Sequence, residues 1–177
     1  VKPLITVLGD DPVTVECGSD YADAGATASD FCAGDLTAAI VTSGSVDTSI
    51  PGSYTITYTV ADPSGNSATA ARAVTVADTT SPVLACPDHV TVECPADVPA
   101  APALTAADGC DGTLVATMVE TSAGTCPTII TRTWTATDSA GNTASCSQTI
   151  TVSDQTAPVI TCPADLTVAV LPAPDAN

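Results

Sequence analysis

Eight cysteines and twenty acidic residues are the side chains here that could do chemistry. Thiols pair, react or bind metal, and clustered carboxylates hold hard cations or exchange protons in pairs. There is no CxxC and no Cys/His cluster, and His89 is the sole histidine. Disulfides are therefore expected rather than zinc, which implies an oxidising, extracytoplasmic compartment. His89 follows Asp88 with no Ser-His-Asp or Cys-His spacing around it, and the acids fall mostly in turn sequences. Neither pattern builds a catalytic centre, so the chain reads as a non-enzyme without a cofactor.

A repeat positions these residues. Tyr58-Thr-Val-Ala-Asp62-Pro-Ser-Gly-Asn66 returns as Trp134-Thr-Ala-Thr-Asp138-Ser-Ala-Gly-Asn142, displaced by 76 positions. The same displacement carries Pro82-Val-Leu-Ala-Cys86 onto Pro158-Val-Ile-Thr-Cys162. The organisation is thus one module over 1–78, a second over 79–154 and the first strand of an incomplete third over 155–177. Arrays of this kind serve as spacers, fibres or binding surfaces more often than as enzymes.

Each module reads as all-β. Residues 53–60 alternate Tyr54, Ile56, Tyr58 and Val60 against threonines, a period-two strand pattern. The turn at 62–66 and the run 68–76 complete a hairpin, which recurs over 130–137, 138–142 and 143–152. Short strands are predicted at 4–7, 13–17, 26–29 and 39–43, and again at 83–86, 90–94, 104–107 and 113–120. About seven strands per module predict tandem β-sandwiches, followed by a lone C-terminal strand. Joints at 78–82 and 154–158 are short and proline-stiffened, so the modules should sit end to end. Arg132 breaks the pattern: it falls in register with Ile56 on the inward phase, where Trp134 would flank it and Glu120 or Glu93 would balance its charge.

With only 3% aromatic residues, modules of this size are marginal without staples. The first contains only Cys17 and Cys32, so an internal bridge there must join them, and Cys94 and Cys110 are their equivalents. A loop of that length is worth roughly 3 kcal/mol in the chain-entropy model. Cys86 and Cys146 align with Val7 and Ala70, so both are cysteine in one copy and both absent from the other. That joint presence predicts a bond from first strand to last. Cys126 and Cys162 are left with three fates: a bond to each other, bonds to another subunit, or free thiols.

A net charge of −17 excludes nucleic acid and anionic membrane surfaces as partners. No apolar run is long enough to span a membrane, and no signal peptide precedes Val1, so the chain reads as a mature or excised product. Turn aspartates at Asp30, Asp35 and Asp62, and at Asp108, Asp111 and Asp138, cluster at what should be one end of each module. Loop oxygens at a joint would suit structural calcium, and solvated turn aspartates are the plainer reading. Threonines on outward strand phases offer sites for O-linked glycans, whereas isopeptide chemistry has only Lys2 to draw on.

Two families share these motifs. Val13-Thr-Val-Glu-Cys-Gly-Ser-Asp-Tyr-Ala-Asp-Ala-Gly-Ala-Thr-Ala-Ser-Asp30 and Pro51-Gly-Ser-Tyr-Thr-Ile-Thr-Tyr58 resemble the immunoglobulin-like repeat of bacterial surface proteins. Cys86-Pro-Asp-His-Val-Thr-Val-Glu-Cys94, the segment 133–142 and Cys146 resemble a hyalin repeat. The resemblance implies immunoglobulin-like sandwiches from extracellular stalks and adhesive proteins. Many hyalin-type repeats carry cysteine at the place of Ala140, where it would partner Cys126, so the resemblance implies that Cys126 bonds elsewhere.

The function expected is a structural subunit of an extracellular filament, pilus-like fibre or surface layer. Pro158, Val159, Ile160, Leu166, Val168 and Val170 form the apolar stub that would be donated to a neighbouring copy's sheet, linking copies head to tail. Val170 stands where the earlier copies carry Cys17 and Cys94. The alternative is a fragment of a long surface adhesin or stalk. A carbohydrate-binding accessory module is the weaker alternative, since one Trp, three Tyr and one Phe make a poor sugar-stacking platform.

Overall fold

The computed structural model describes residues 1–161. Module one comprises β1 (Leu4–Val7), β2 (Val13–Glu16), β3 (Ala26–Asp30), β4 (Gly34–Asp35), β5 (Val41–Ser43), β6 (Gly52–Ala61) and β7 (Ser67–Ala77). Module two comprises β8 (Val83–Leu84), β9 (Val90–Val92), β10 (Thr105–Asp108), β11 (Gly112–Val115), β12 (Thr117–Ala123), β13 (Thr128–Thr137) and β14 (Thr143–Val152). Each module stacks a three-stranded sheet on a four-stranded one. The orders are β1-β3-β4 with β2-β7-β6-β5, and β11-β10-β8 with β12-β13-β14-β9.

The long hairpins dominate because their sequences alternate and their turns are self-capped. Asp62 accepts the Asn66 backbone N–H at 2.8 Å and the Asn66 amide at 2.7 Å. Asp138 does the same for Asn142, at 2.7 and 2.9 Å. Strands β2 and β9 run parallel to β7 and β14 along the outer edge of each hairpin. Two details differ from expectation. The predicted strand at 113–120 is two strands, because β11 and β12 belong to different sheets and the chain crosses between them at Ala116. In module one a 3₁₀ turn, Thr37–Ala39, makes the equivalent crossing. His89 lies just before β9 rather than within it, and its Nδ1 accepts the Thr149 N–H at 2.8 Å.

The cores follow the repeat. Val15, Ile56, Tyr58 and Val74 form the centre of module one, with Ile5, Val7 and Ala26 of the small sheet packed against it. Trp134, Ala136, Ile150, Val152 and Ala106 are their buried counterparts in module two. One cross-strand pair breaks the apolar pattern in both copies. Ile56 pairs with Arg72, and Arg132 pairs with Gln148, so the arginine changes strand but keeps its level. Arg72 is 2% exposed and Arg132 4%.

Each guanidinium finds its own acid. Arg72 is ion-paired with Asp23, which also accepts the Tyr58 hydroxyl at 2.7 Å. Burial pushes Asp23 up, but the Tyr58 hydrogen bond and the Arg72 charge outweigh it and leave Asp23 lowered. Tyr58 is pushed up to about 12, by burial first and then by its bond to Asp23. Arg132 Nε donates to Glu120 at 2.7 Å, and its Nη2 donates to the Pro99 carbonyl at 2.8 Å. Of the two acids proposed for Arg132, Glu120 is therefore the partner. Stripping a buried charge of its partner costs about 3–5 kcal/mol. The deeper Arg72–Asp23 pair answers to that figure more closely than Arg132 does, because Glu120 is half exposed and screened.

Candidate functional site

The joint between the modules carries the chemistry. Strand β2 ends beside the end of β7, where the Cys17 N–H donates to the Ala77 carbonyl at 2.8 Å. Cys17 thus sits at the C-terminal end of module one. Cys32 occupies the β3–β4 turn at the opposite end, in a recess it shares with Asp62 and Asn66 of the β6–β7 turn. The eleven residues of β7 separate those ends by roughly 30 Å, whereas a disulfide needs Cα atoms about 4.4–6.8 Å apart.

The expected Cys17–Cys32 and Cys94–Cys110 bridges are therefore corrected. Cys17 bonds Cys110 across the joint, with Cα atoms 5.3 Å apart and a sequence separation of 93. Cys32 and Cys94 are exposed free thiols. Cys86 bonds Cys146, which ties the small sheet of module two to the large one. Cys126 is an exposed thiol just before β13. Cys162 lies outside the described residues, as do Leu166, Val168 and Val170. Pro158, Val159 and Ile160 are exposed and in no strand.

Local turn chemistry presents each partner. Asp108 Oδ1 accepts the N–H groups of Cys110 and Asp111 at 2.8 and 2.9 Å, holding the turn that points Cys110 at module one. Gly18 takes φ +75°, and a Cβ there would strike the Gly109 carbonyl, so glycine is required on both counts. The linker is clamped as well. Glu16 Oε1 accepts the Thr79 N–H at 2.8 Å and the Thr80 hydroxyl at 2.7 Å, and Oε2 accepts the Thr79 hydroxyl at 2.6 Å. These bonds, led by the Thr79 hydroxyl, hold Glu16 at about 2 instead of 4.5. Glu93 repeats the clamp after module two by accepting the Thr156 hydroxyl.

Acids gather beside the disulfide. Carboxylate oxygens of Asp78, Asp111 and Asp138 lie within 4.8 Å of one another. Asp78 Oδ2 and neighbouring Asp108 Oδ2 are buried without a hydrogen-bond partner. Burial, then the charges of Asp108 and Asp138, pushes Asp78 up. Asp30 and Asp62 meet at the recess of module one, while Asp35 turns away to cap the Thr37 N–H at 2.9 Å. Residue types in the turns had pointed to Asp111 and Asp138. Asp78, in the linker, was missed, as was the Glu16 clamp. Its signal was available: Val-Glu-Cys recurs in both copies together with one linker threonine, Thr80 and then Thr156.

This geometry has recognisable relatives. Residues 5–76 match the family model of the bacterial surface protein Ig-like domain, and residues 82–152 match that of the HYR-like domain with 4 cysteines. Each of the two modules thus matches a surface-type domain family. Among solved structures, it resembles the catalytic M60 region with its CBM51 domains from Clostridium perfringens ZmpB, with a TM-score of 0.50 and 14% identity. That match covers 86% of this chain and 31% of the other. A lipoprotein from Bacteroides thetaiotaomicron aligns at a TM-score of 0.40 and 20% identity, over 77% of this chain and 61% of its own. The first likeness shows the fold alone, and the chain spans less than two thirds of either relative. No curated protein matches the sequence. Among the described residues no helix is long and apolar enough to cross a membrane. Surface-protein modules and two disulfides are consistent with an extracellular or cell-surface location.

Glu16 makes the clamp testable by acid. A carboxylate lowered by folding contributes stability above its unfolded value of 4.5, and that contribution is lost as pH falls through about 2. The Thr79 and Thr80 amide resonances should titrate with a midpoint near pH 2, and Glu16→Gln should abolish the titration. A midpoint near 4.5 would show that no clamp exists.

Proposed function

We propose that this chain is a structural subunit of an extracellular filament, pilus-like fibre or surface layer, secreted through an oxidising compartment and joined to its own copies head to tail. One observation carries the reading: a disulfide, a threonine–glutamate clamp and a short linker together fix two sandwiches end to end. A rigid rod of this kind transmits load and sets spacing, and nothing in it requires a catalytic centre. His89 supports the non-enzymatic reading, because its Nδ1 is committed to the Thr149 amide.

The exposed apolar residues Val159 and Ile160 lead into the segment that would add to a neighbour's sheet. With Cys32→Ser and Cys94→Ser in place, deleting residues 156–177 should leave folded monomers by sedimentation velocity. Fibres formed by the shortened protein would eliminate strand donation. A length of a longer surface adhesin or stalk is the second reading. It is favoured by the Glu93–Thr156 clamp, which begins a further joint like the first. Glycans carried on outward threonines are compatible with either.

Structural calcium belongs to the same reading. Asp78, Asp111 and Asp138 would hold the ion, with Asp108 beside them, and two orphaned carboxylate oxygens fit the oxygen-only shell that calcium takes. Bound there, the ion would neutralise repulsion at the joint. At a hundredfold excess over its dissociation constant, calcium should stabilise by about 2.7 kcal/mol, raising the melting midpoint by roughly 10 °C or more for one module. Asp78→Asn combined with Asp111→Asn should remove that rise. An unchanged melting curve with calcium in the unaltered protein would dismiss the site.

A further inference from the structure

The staple between modules leaves both of its own ends open. Cys17 is the outgoing cysteine of module one, and Cys94 is its equivalent in module two, each following Val-Glu. Cys110 is the incoming cysteine of module two, and Cys32 is its equivalent in module one. Outgoing Cys17 bonds incoming Cys110, while incoming Cys32 and outgoing Cys94 remain exposed thiols.

Cys32 is presented as Cys110 is. Asp30 Oδ1 accepts the N–H groups of Cys32 and Ala33 at 2.8 and 3.0 Å, the same turn that Asp108 makes. Asp30 is 8% exposed, and its Oδ2 has no partner. It lines, with Cys32, Asp62, Asn66 and Val1, a recess of about 200 Å³ at the free end of module one. Val1 stands near Asp62 as the linker residue Asp78 stands near Asp138. Beside the recess, Phe31 is 93% exposed.

The outgoing end matches this surface. Glu93 clamps Thr156 as Glu16 clamps Thr79 and Thr80. At the formed joint Gly18 packs on Gly109, and at the open ends these positions are Pro95 and Phe31. The open ends thus carry a proline and an exposed aromatic ring where the formed joint has two glycines.

We propose that Cys94 of one copy bonds Cys32 of the next, so that the covalent link inside the chain is matched by one between chains, through a contact of different backbone geometry because Pro95 cannot take the positive φ of Gly18. The occupant of the recess is the Cys94 end of a second copy. The proposal deepens the head-to-tail reading and does not depend on strand donation. The bond forms by thiol–disulfide exchange with a small-molecule disulfide such as oxidised glutathione. The Cys94 thiolate attacks that disulfide and releases one glutathione thiolate. The Cys32 thiolate then attacks the Cys94 sulfur of the mixed disulfide and expels the second. Two protein thiols are oxidised, one glutathione disulfide is reduced, and the two thiol protons end on two glutathione molecules.

The test uses the full chain with Cys126→Ser and Cys162→Ser, incubated in oxidised and reduced glutathione. Non-reducing gels should show a ladder that collapses with reductant, and peptide mapping should place the links between Cys32 and Cys94. Cys32→Ser alone and Cys94→Ser alone should each stay monomeric, with circular dichroism reporting the fold. Mixed together, those two variants should give a dimer and nothing longer. Links of Cys32 to Cys32 or Cys94 to Cys94, a ladder that survives either variant, or two unpaired thiols throughout would overturn the proposal. Sedimentation of the same glutathione-treated protein, kept free of added reductant, separates the two ideas: assembly without the covalent ladder retains the filament reading and rejects the staple.

Discussion

A disulfide between Cys17 and Cys110 decides where the second sandwich stands on the first. A five-residue linker alone would let two modules of this size swing. A second covalent tie, placed on the other side of the contact, removes most of that freedom. The rest of the joint depends on this restraint. It brings Gly18 against the Gly109 carbonyl, and it packs acids that would otherwise separate. The upward push on Asp78 comes from its burial first and from the charges of Asp108 and Asp138 second, while the Glu16 clamp gives the linker amides an ionised acceptor.

Charge placement explains why such devices are needed. Of three basic residues, two are arginines sealed in the cores, leaving Lys2 and the N-terminus to face twenty acids. The exterior is almost purely anionic, so neither modules nor copies attract one another through complementary charge. Contacts between them need covalent bonds, bound cations or apolar surface. The ends of this molecule offer all three chemistries: thiols at Cys32 and Cys94, the carboxylates of Asp30 and Asp62 at the recess, and the exposed ring of Phe31. The buried arginines serve a different purpose, since each brings a loop acid into its own core and so fixes a loop to a sheet.

Much of the fold was legible in the residues themselves. The alternation at 53–60 and the Asp-x-x-Gly-Asn turns specify both long hairpins within about two residues, because period-two patterning and turn chemistry are local. The pairing of Cys86 with Cys146 also showed, through their shared absence from module one. Pairing at Cys17 did not. When a cysteine pair recurs with the repeat, spacing alone cannot tell a bond within a module from a bond to the next. Only the length of β7, which holds Cys17 and Cys32 at opposite ends, decides it. Asp78 escaped notice for a related reason: its partners are 33 and 60 positions away, at Asp111 and Asp138, and only the joint brings them together.

Every inference about the rod reduces to one covalent bond crossing from module to module. Proteolysis of the thiol-blocked, unreduced protein followed by mass spectrometry tests it without further assumption. The result anticipated is a cross-linked peptide pair holding Cys17 and Cys110, with Cys32 carrying the blocking group or joined to Cys94 of another copy. Recovery of Cys17 linked to Cys32 would mean two separately stapled modules on a free hinge, and the rigid-rod account would fail.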